Sequence, residues 1–468
     1  MISEPTLRGA LDRIVANEST PPGYYVIARA ADRMAAAAGM AMESRTRAVR
    51  MLSIAFGLAC VLLTFVLALE LVPLWAAALA GLLVSFASPL VLHGSELRAY
   101  SLLAFSCVAF ALLLGRAAAQ PALPRLALLA GAVALGALTH YFFLFTLLAG
   151  AIWLLASGQR RSVVGRVTAA MAVGLLPLAA WSPSWVRQIE HGVYATSRPF
   201  THHRFLDFVP SIFTPQAVVL DMGVLLHAAV TLAVLVPSVL LLRRREGRLC
   251  ALFVLTPFLL VTGIAWATEE RVFNTRNLIG VAPFAAIAVA WGCVSLPWSR
   301  ARSAAGVVVA ATVIAGFAYG EVALGRTPYD RIADEMAAQG SRPDEPIVWF
   351  GNYDGIASFA WYLTRGRPAN TWPRVVVSEP ARGTCTGVGV VAGTAVGRLW
   401  LRRHRSEIVA QTSTPAFAND LQGPRRPDLI VARLRWSEGI LLRPATATNW
   451  FLLRRAGTAS PCLRRKAR

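Results

Sequence analysis

The sequence predicts a polytopic α-helical membrane protein of about ten transmembrane helices followed by a C-terminal soluble α/β domain. Of its 468 residues, 56% are hydrophobic and only 15% charged. That leaves too few charged groups to coat a soluble particle of this size, so the surplus apolar surface faces lipid. Mostly apolar windows of roughly 20 residues, long enough to span a bilayer core, recur from Met51 to about Leu324 and then stop. Beyond Gly325 short β-rich runs alternate with Gly/Pro turns.

Residues 1–50 contain no signal peptide and no apolar span. Pro21 and Pro22, then Tyr24 and Tyr25 and an Ala/Arg-rich stretch to Met42, read as interfacial helices lying on the membrane. The predicted spans are 51–69, 73–92, 100–114, 123–138, 142–156, 163–181, 224–242, 249–266, 278–296 and 304–323. Ten is an even number, so both chain ends lie on one side. Strands are expected at 346–351, 374–378 and 428–432, with two further candidates at 387–392 and 450–453, and an amphipathic helix at 329–339. The expected domains are therefore a partial first extracytoplasmic loop (1–50), a helix bundle (51–324) and an extracytoplasmic α/β domain (325–468).

Orientation follows from arginine in the short loops, because basic residues are retained on the cytoplasmic face. One alternate set of loops carries Arg116 and Arg125, then Arg160, Arg161 and Arg166, then Arg243 to Arg248, then Arg300 and Arg302, with almost no acid. The other set mixes charges: Glu96 with Arg98, the His140 turn, the long 185–222 loop, and Glu269, Glu270, Arg271 and Arg276. The first set is assigned to the cytoplasm and the second to the outer face of the inner membrane. An inverted topology with a cytoplasmic N-terminal arm is the alternative. Arginine-rich connectors such as Arg243, Arg244, Arg245 and Arg248 sit between apolar spans, where cytoplasmic-facing loops carry them, which argues against reading the net charge of +21 as a sign of a nucleic-acid partner.

No CxxC and no His/Cys cluster at zinc spacing occurs, so neither metal nor cofactor is expected, a divalent metal being the less favoured alternative. Cys60, Cys107, Cys250 and Cys293 lie within apolar spans and read as small buried hydrophobes. Cys385 and Cys462 could pair in an extracytoplasmic domain.

The outward turns collect the chemistry. The segment 93–100 packs His93, Glu96, Arg98 and Tyr100 between two apolar spans. Charges at this depth face a cavity or a partner, although an ordinary loop pair of Glu96 and Arg98 is the simpler alternative. His140 and Tyr141 begin a second outward turn, and Arg276 opens a third. His202, His203 and Arg204 form a basic cluster in the long loop. Together Arg98, His140 and Arg276 would set cationic donors at headgroup depth, an arrangement suited to a lipid-linked phosphate.

The run Ser95-Glu96-Leu97-Arg98-Ala99-Tyr100-Ser101-Leu102-Leu103 resembles a signature of GT-C class membrane glycosyltransferases. The relevant members are the family 39 relatives of protein O-mannosyltransferases and the aminoarabinose transferases acting on lipid A. Thr139-His140-Tyr141-Phe142, Arg276-Asn277-Leu278 with Pro283, and Pro21-Pro22-Gly23-Tyr24-Tyr25 resemble three further motifs of that class, in order, over most of residues 17–297.

The resemblance implies inverting transfer of a sugar from a polyprenyl-phosphate donor to an acceptor protein, lipid or cell-envelope glycan at the outer membrane face. It implies donor-phosphate binding by Arg98, His140 and Arg276, and substrate contacts from Glu96, Tyr100, Tyr141, Glu269 and Tyr24. The class carries an earlier transmembrane helix and then an acidic base, which this chain does not contain. The expectation is either a start placed too far downstream or a degenerate, inactive member. Within the chain, Glu18 takes a place near the Pro-Pro pair where aminoarabinose-type relatives carry a Glu, and is the candidate catalytic base or acceptor-orienting residue.

Two other classes fit the composition. A transporter or lipid flippase would place ionisable groups mid-span and often carries inverted repeats, whereas here the polar groups cluster at outward span ends. A non-catalytic scaffold would bind glycans through the C-terminal domain, using Asp354, Trp349, Trp361 and Trp372, although such aromatics are more often core.

Overall fold

A computed structural model of the chain describes residues 2, 4–94, 96–190, 209–213, 224–268 and 275–324, together with five strands nearer the C-terminus. The chain forms two compact units, Met1–Ala318 and Tyr319–Arg468.

The first unit opens with two short helices. The Thr6 hydroxyl accepts from the Gly9 N–H at 3.0 Å and starts α1, Leu7–Asn17. Glu18 ends it in extended backbone, and Thr20, directly before Pro21, cannot easily continue a helix. Pro22 then precedes α2, Gly23–Ala37. Ile14 of α1 and Tyr24, Tyr25 and Ala28 of α2 bury against Val49, Ala99 and Leu102, so the N-terminal segment is packed onto the bundle.

The bundle follows as α3 (Met42–Leu69), α4 (Leu74–Ser85), α5 (Ser88–Gly94), α6 (Tyr100–Ala119), α7 (Leu123–Thr139), α8 (Phe143–Ala156) and α9 (Arg161–Glu190). After a helical segment at 209–213 come α10 (Val224–Leu241), α11 (Arg248–Thr268), a 3-10 turn (Thr275–Val281), α12 (Ala282–Val294) and α13 (Ser299–Leu324). Five helices are long and apolar enough to cross a membrane: Ser44–Leu69, Tyr100–Ala119, Arg161–Glu190, Arg276–Val294 and Ser299–Ala318. Five shorter apolar helices stand between them: Leu74–Ser85, Leu123–Thr139, Phe143–Ala156, Leu225–Leu241 and Arg248–Ile264. These ten correspond in order to the predicted spans.

Two boundaries differ from the sequence reading. The span predicted as continuous over 73–92 breaks at 86–87, because Pro89 has no N–H to offer the Ser85 carbonyl and its ring would clash there. The span predicted to end at 181 continues to Glu190, so Trp185 and Gln188 lie on helix and not in a loop.

Burial ranks the spans. The window within Arg276–Val294 is 78% buried and that within Ser299–Ala318 only 11%, so α12 sits at the centre and α13 at the rim. At the centre Phe110 of α6 packs edge-on against Phe143 and stacks with Phe253, which in turn meets Phe284. Leu58, Leu62, Leu123, Leu155, Leu225 and Val307 are exposed on outer faces, the surface a bilayer would cover. Close approach of α7 and α9 depends on Gly174, where a Cβ would fall 2.5 Å from the Ala130 carbonyl oxygen. The four cysteines within the spans are buried and free.

The second unit contains a mixed five-stranded sheet of β1 (Ile347–Phe350), β2 (Val375–Val377), β3 (Val388–Ala392), β4 (Leu429–Leu434) and β5 (Trp450–Arg455), ordered β2-β1-β3-β5-β4. β1 pairs in parallel with β2 and β3, while β5 runs antiparallel to β3 and β4. All five predicted strand segments occur. The predicted helix at 329–339, the Cys385–Cys462 pairing, Asp354, Trp361 and Trp372 fall outside the described residues, and Trp349 stands in β1.

Candidate functional site

The turns that carry Glu18, His93 to Arg98 and His140 meet: Arg98 contacts Glu18, and the Tyr100 ring lies between those of His93 and His140. Among the arginine-rich turns, Arg248 Nη1 donates to the Ala156 carbonyl at 3.0 Å and ties two of them together.

Glu18 is where it is because α1 stops there. Its N–H closes the helix on the Ile14 carbonyl at 2.9 Å, and its carboxylate projects from a helix C-terminus, where the helix dipole disfavours an anion. A cation compensates: Arg98 Nη2 contacts Glu18 Oε2 at 3.2 Å, with the side chains 29% and 12% exposed. The buried Tyr25 hydroxyl is the second partner of that carboxylate.

Arg98 lies in the bend between α5 and α6. The Ser101 hydroxyl fixes the bend by donating to the Gly94 carbonyl at 3.1 Å. The guanidinium also lies 5.5 Å from the centre of the Tyr100 ring, within cation–π range. Burial disfavours its charge, but Tyr100, Glu18, Tyr25 and Glu96 outweigh burial and raise its pKa above the ordinary arginine value. Glu96 accepts from or shares a proton with His93, Nδ1 to Oε1 being 2.9 Å. Burial would push its carboxyl up, yet His93, Arg98 and Arg276 hold it below the usual range.

His140 caps α7 in extended backbone. Its Nδ1 accepts from the Phe142 N–H at 3.2 Å, which leaves the proton on Nε2. Burial, then Arg98 and Arg276, depress its pKa to about 3. This corrects the expectation of three cations: His140 is a neutral hydrogen-bond donor, because a third charge beside two guanidiniums is too costly in a buried position. Its ring lies 6.1 Å from Tyr100, which lies 5.1 Å from His93. Arg276 enters from the 3-10 turn before α12 and acts electrostatically on Glu96, Tyr100 and His140.

The structure thus brings Glu18, Glu96, Arg98, Tyr100, His140 and Arg276 into one cluster. Two predicted substrate contacts have hydrogen-bond partners within the chain. Tyr24 is fully buried, its hydroxyl 2.8 Å from Ser53 Oγ, and burial pushes its pKa up to about 12. Tyr141 donates to Gln188 Oε1 at 2.6 Å and stacks on Trp185 at 4.4 Å. Glu269, Ser95, His202, His203 and Arg204 lie outside the described residues. Gln188 was not singled out by the sequence, since the apolar run ends at Trp181. Its only signal was helical spacing from Trp181 and Trp185. Among the described residues, no three His, Cys, Asp or Glu side chains are placed to hold a metal ion.

No protein-family model and no curated protein sequence matches the chain. Solved structures do. The crystal structure of ArnT from Cupriavidus metallidurans in the apo state superposes with a TM-score of 0.50 at 14% identity, covering 78% of this chain and 76% of that one. The same protein bound to undecaprenyl phosphate gives 0.48 at 12% identity over 93% and 88% of the two chains. An Archaeoglobus fulgidus oligosaccharyltransferase in complex with Zn and sulfate gives 0.47 at 12% identity over 88% and 59%. The likeness to apo ArnT shows that the chain shares the fold of that structure.

Proposed function

We propose that this membrane protein transfers a sugar from a polyprenyl-phosphate-linked donor to an acceptor on the outer face of the cytoplasmic membrane, with its C-terminal domain extracytoplasmic. The reading rests above all on one observation: a partly buried arginine, Arg98, whose guanidinium contacts Glu18 at 3.2 Å and lies 5.5 Å from the centre of the Tyr100 ring. Arg98 and Arg276 supply charge for a phosphate, and the neutral His140 supplies an Nε2–H donor. ArnT, whose apo structure shares this fold, is a protein also solved with undecaprenyl phosphate bound, which supports the donor class.

In the proposed reaction the donor phosphate competes with Glu18 for Arg98. An acceptor hydroxyl attacks the anomeric carbon, its proton passes to the released Glu18 carboxylate, and the bond from that carbon to the phosphate oxygen breaks. The polyprenyl phosphate departs with the bonding pair as a stable anion held by the two arginines, so no acid is needed at the leaving group. The result is inversion at the anomeric carbon. Glu96, ionised and engaged by His93, keeps the two-arginine cluster close to neutral until the phosphate enters.

Polyprenyl phosphate binding to the purified full chain tests the donor site. Arg98→Ala is expected to weaken it by about 10–100-fold, the value of one charge-assisted contact of about 1.5–3 kcal/mol. Equal binding by Arg98→Ala and the parent chain would remove the basis of the reading.

A further inference from the structure

We infer that Gln188 is a positioning residue for Glu18, acting through the last turn of α9 as a fixed bracket for the segment that carries the carboxylate. This rests on the proposed role of Glu18 but adds a residue that role does not require.

The bracket can be read atom by atom. Gln188 is completely buried. Its Nε2 donates toward three backbone carbonyls of the N-terminal segment, Glu18 at 2.8 Å, Thr20 at 3.1 Å and Ile14 at 3.3 Å. Its Oε1 accepts the Tyr141 hydroxyl at 2.6 Å, and that hydroxyl accepts the Trp181 indole N–H at 3.1 Å. The direction of every bond is forced. An indole nitrogen can only donate, so the Tyr141 oxygen accepts there and spends its one proton on Gln188. The amide oxygen therefore faces Tyr141 and its NH2 group faces the carbonyls, which themselves can only accept. Two amide hydrogens serve three carbonyls, so one is shared.

The consequence is geometric. The three carbonyls belong to the final turn of α1, to Glu18 itself and to the residue before the Pro-Pro pair. These are the points where the chain leaves the helix and turns toward α2. Trp181 and Trp185 on the same face of α9 hold the Tyr141 ring, the latter by stacking at 14°. The bracket thus couples the backbone of Glu18 to α9 and to the His140–Tyr141 turn, while the Glu18 carboxylate faces Arg98. On the other side Gly23 abuts the Leu138 carbonyl so closely that a Cβ there would lie 2.6 Å from its oxygen. The segment 18–23 is clamped between the ends of α7 and α9.

A base must sit within hydrogen-bond reach of the acceptor proton, and a displacement of about 1 Å can cost about 100-fold in rate. Donor binding uses Arg98, His140 and Arg276, none of which Gln188 contacts, so loss of the bracket reaches the donor site only by loosening the hold of Glu18 on Arg98. The test compares the full chain with Gln188→Leu, Gln188→Glu and Tyr141→Phe in lipid nanodiscs. It measures polyprenyl phosphate affinity, transfer turnover and amide hydrogen exchange over residues 14–22, with 100–119 as an internal control. Gln188→Leu is expected to lower turnover about 10–100-fold, leave donor affinity undiminished, and speed exchange at 14–22 about tenfold, as loss of one hydrogen bond does, without altering 100–119. Gln188→Glu turns an oxygen toward three carbonyls and is expected to be as defective, while Tyr141→Phe keeps the stack and shows a smaller effect in the same direction.

Unchanged turnover in Gln188→Leu despite faster exchange at 14–22 would overturn the positioning role, as would unchanged exchange in all three variants. Should Gln188→Leu fail to fold, Tyr141→Phe carries the same decision. Absence of both transfer and donor binding in the unmodified chain would instead sink the parent reading, and exchange would then decide the bracket alone.

Discussion

Replacing Glu18 by Gln should separate donor binding from transfer and drive them in opposite directions. In the unliganded site Glu18 occupies Arg98 at 3.2 Å, so a phosphate must displace a carboxylate to reach the guanidinium. Two unit charges about 4 Å apart attract by about 1 kcal/mol in water and about 4 kcal/mol at an effective dielectric constant of about 20. The side chains remain 12% and 29% exposed, so solvent screening keeps this pair near the lower end, about 1–2 kcal/mol. Glu18→Gln removes that competition at nearly constant shape. Polyprenyl phosphate should bind about 5–30-fold more tightly, following the tenfold change per 1.4 kcal/mol. Transfer should fall about 100- to 10,000-fold, the usual contribution of a general base. Equilibrium binding of polyprenyl phosphate and single-turnover transfer, measured on the same preparation, read the two effects. Unchanged transfer by Glu18→Gln would refute Glu18 as the base. Weaker donor binding would refute the competition for Arg98.

Three further predictions concern the support of the site. Asp32 pairs with Arg45 through Nε at 3.0 Å and through a second contact, with side chains 7% and 20% exposed. Asp32→Asn should therefore lower stability by about 2–4 kcal/mol, whereas the double change Asp32→Leu with Arg45→Met should cost less, both read by thermal unfolding in detergent. His140 has a native pKa of about 3 against an ordinary 6.5, so below about pH 6.5 the unfolded chain takes up a proton that the native site refuses. Stability should drop by about 2 kcal/mol on going from about pH 8 to about pH 5, and the same unfolding series on His140→Gln should show a flatter pH dependence. Gly23→Ala drives a Cβ to 2.6 Å from a backbone oxygen, which cannot yield as a side chain would. It should cost about 1–3 kcal/mol in unfolding experiments and reduce transfer through displacement of Glu18.

Much of the architecture was written in local patterns. Apolar windows between arginine-bearing turns located all ten helices in order, because lipid exposure imposes a continuous apolar run that no loop reproduces. Runs such as Val375–Val377 and Leu429–Leu434 announced strands through β-branched content between Gly and Pro. Failures came where a helix ceases to look apolar. Residues 182–190 are polar and read as loop, yet they continue α9 because Tyr141, Trp185 and Gln188 satisfy one another at its end. The break at 86–87 lay in a run too apolar to betray it, although Pro89 carried the signal.

At the site, Arg98, His140 and Arg276 were recognisable as polar residues at the ends of apolar spans. Their charge states were not: His140 stays neutral because it is buried and because two guanidiniums distant in sequence lie near it, which no single motif contains. The contact of Glu18 with Arg98 spans 80 residues and that of Gln188 with Glu18 spans 170, separations that periodicity cannot register.

The measurement that bears most directly on the account is sugar transfer from radiolabelled polyprenyl-phosphate sugars in membranes containing the full chain, with Arg98→Ala alongside. Transfer of label to an endogenous acceptor with inversion at the anomeric carbon is expected, reduced at least about 100-fold by Arg98→Ala. Transfer that persists undiminished in Arg98→Ala, or no transfer and no donor binding by the unmodified chain, would contradict the proposed function.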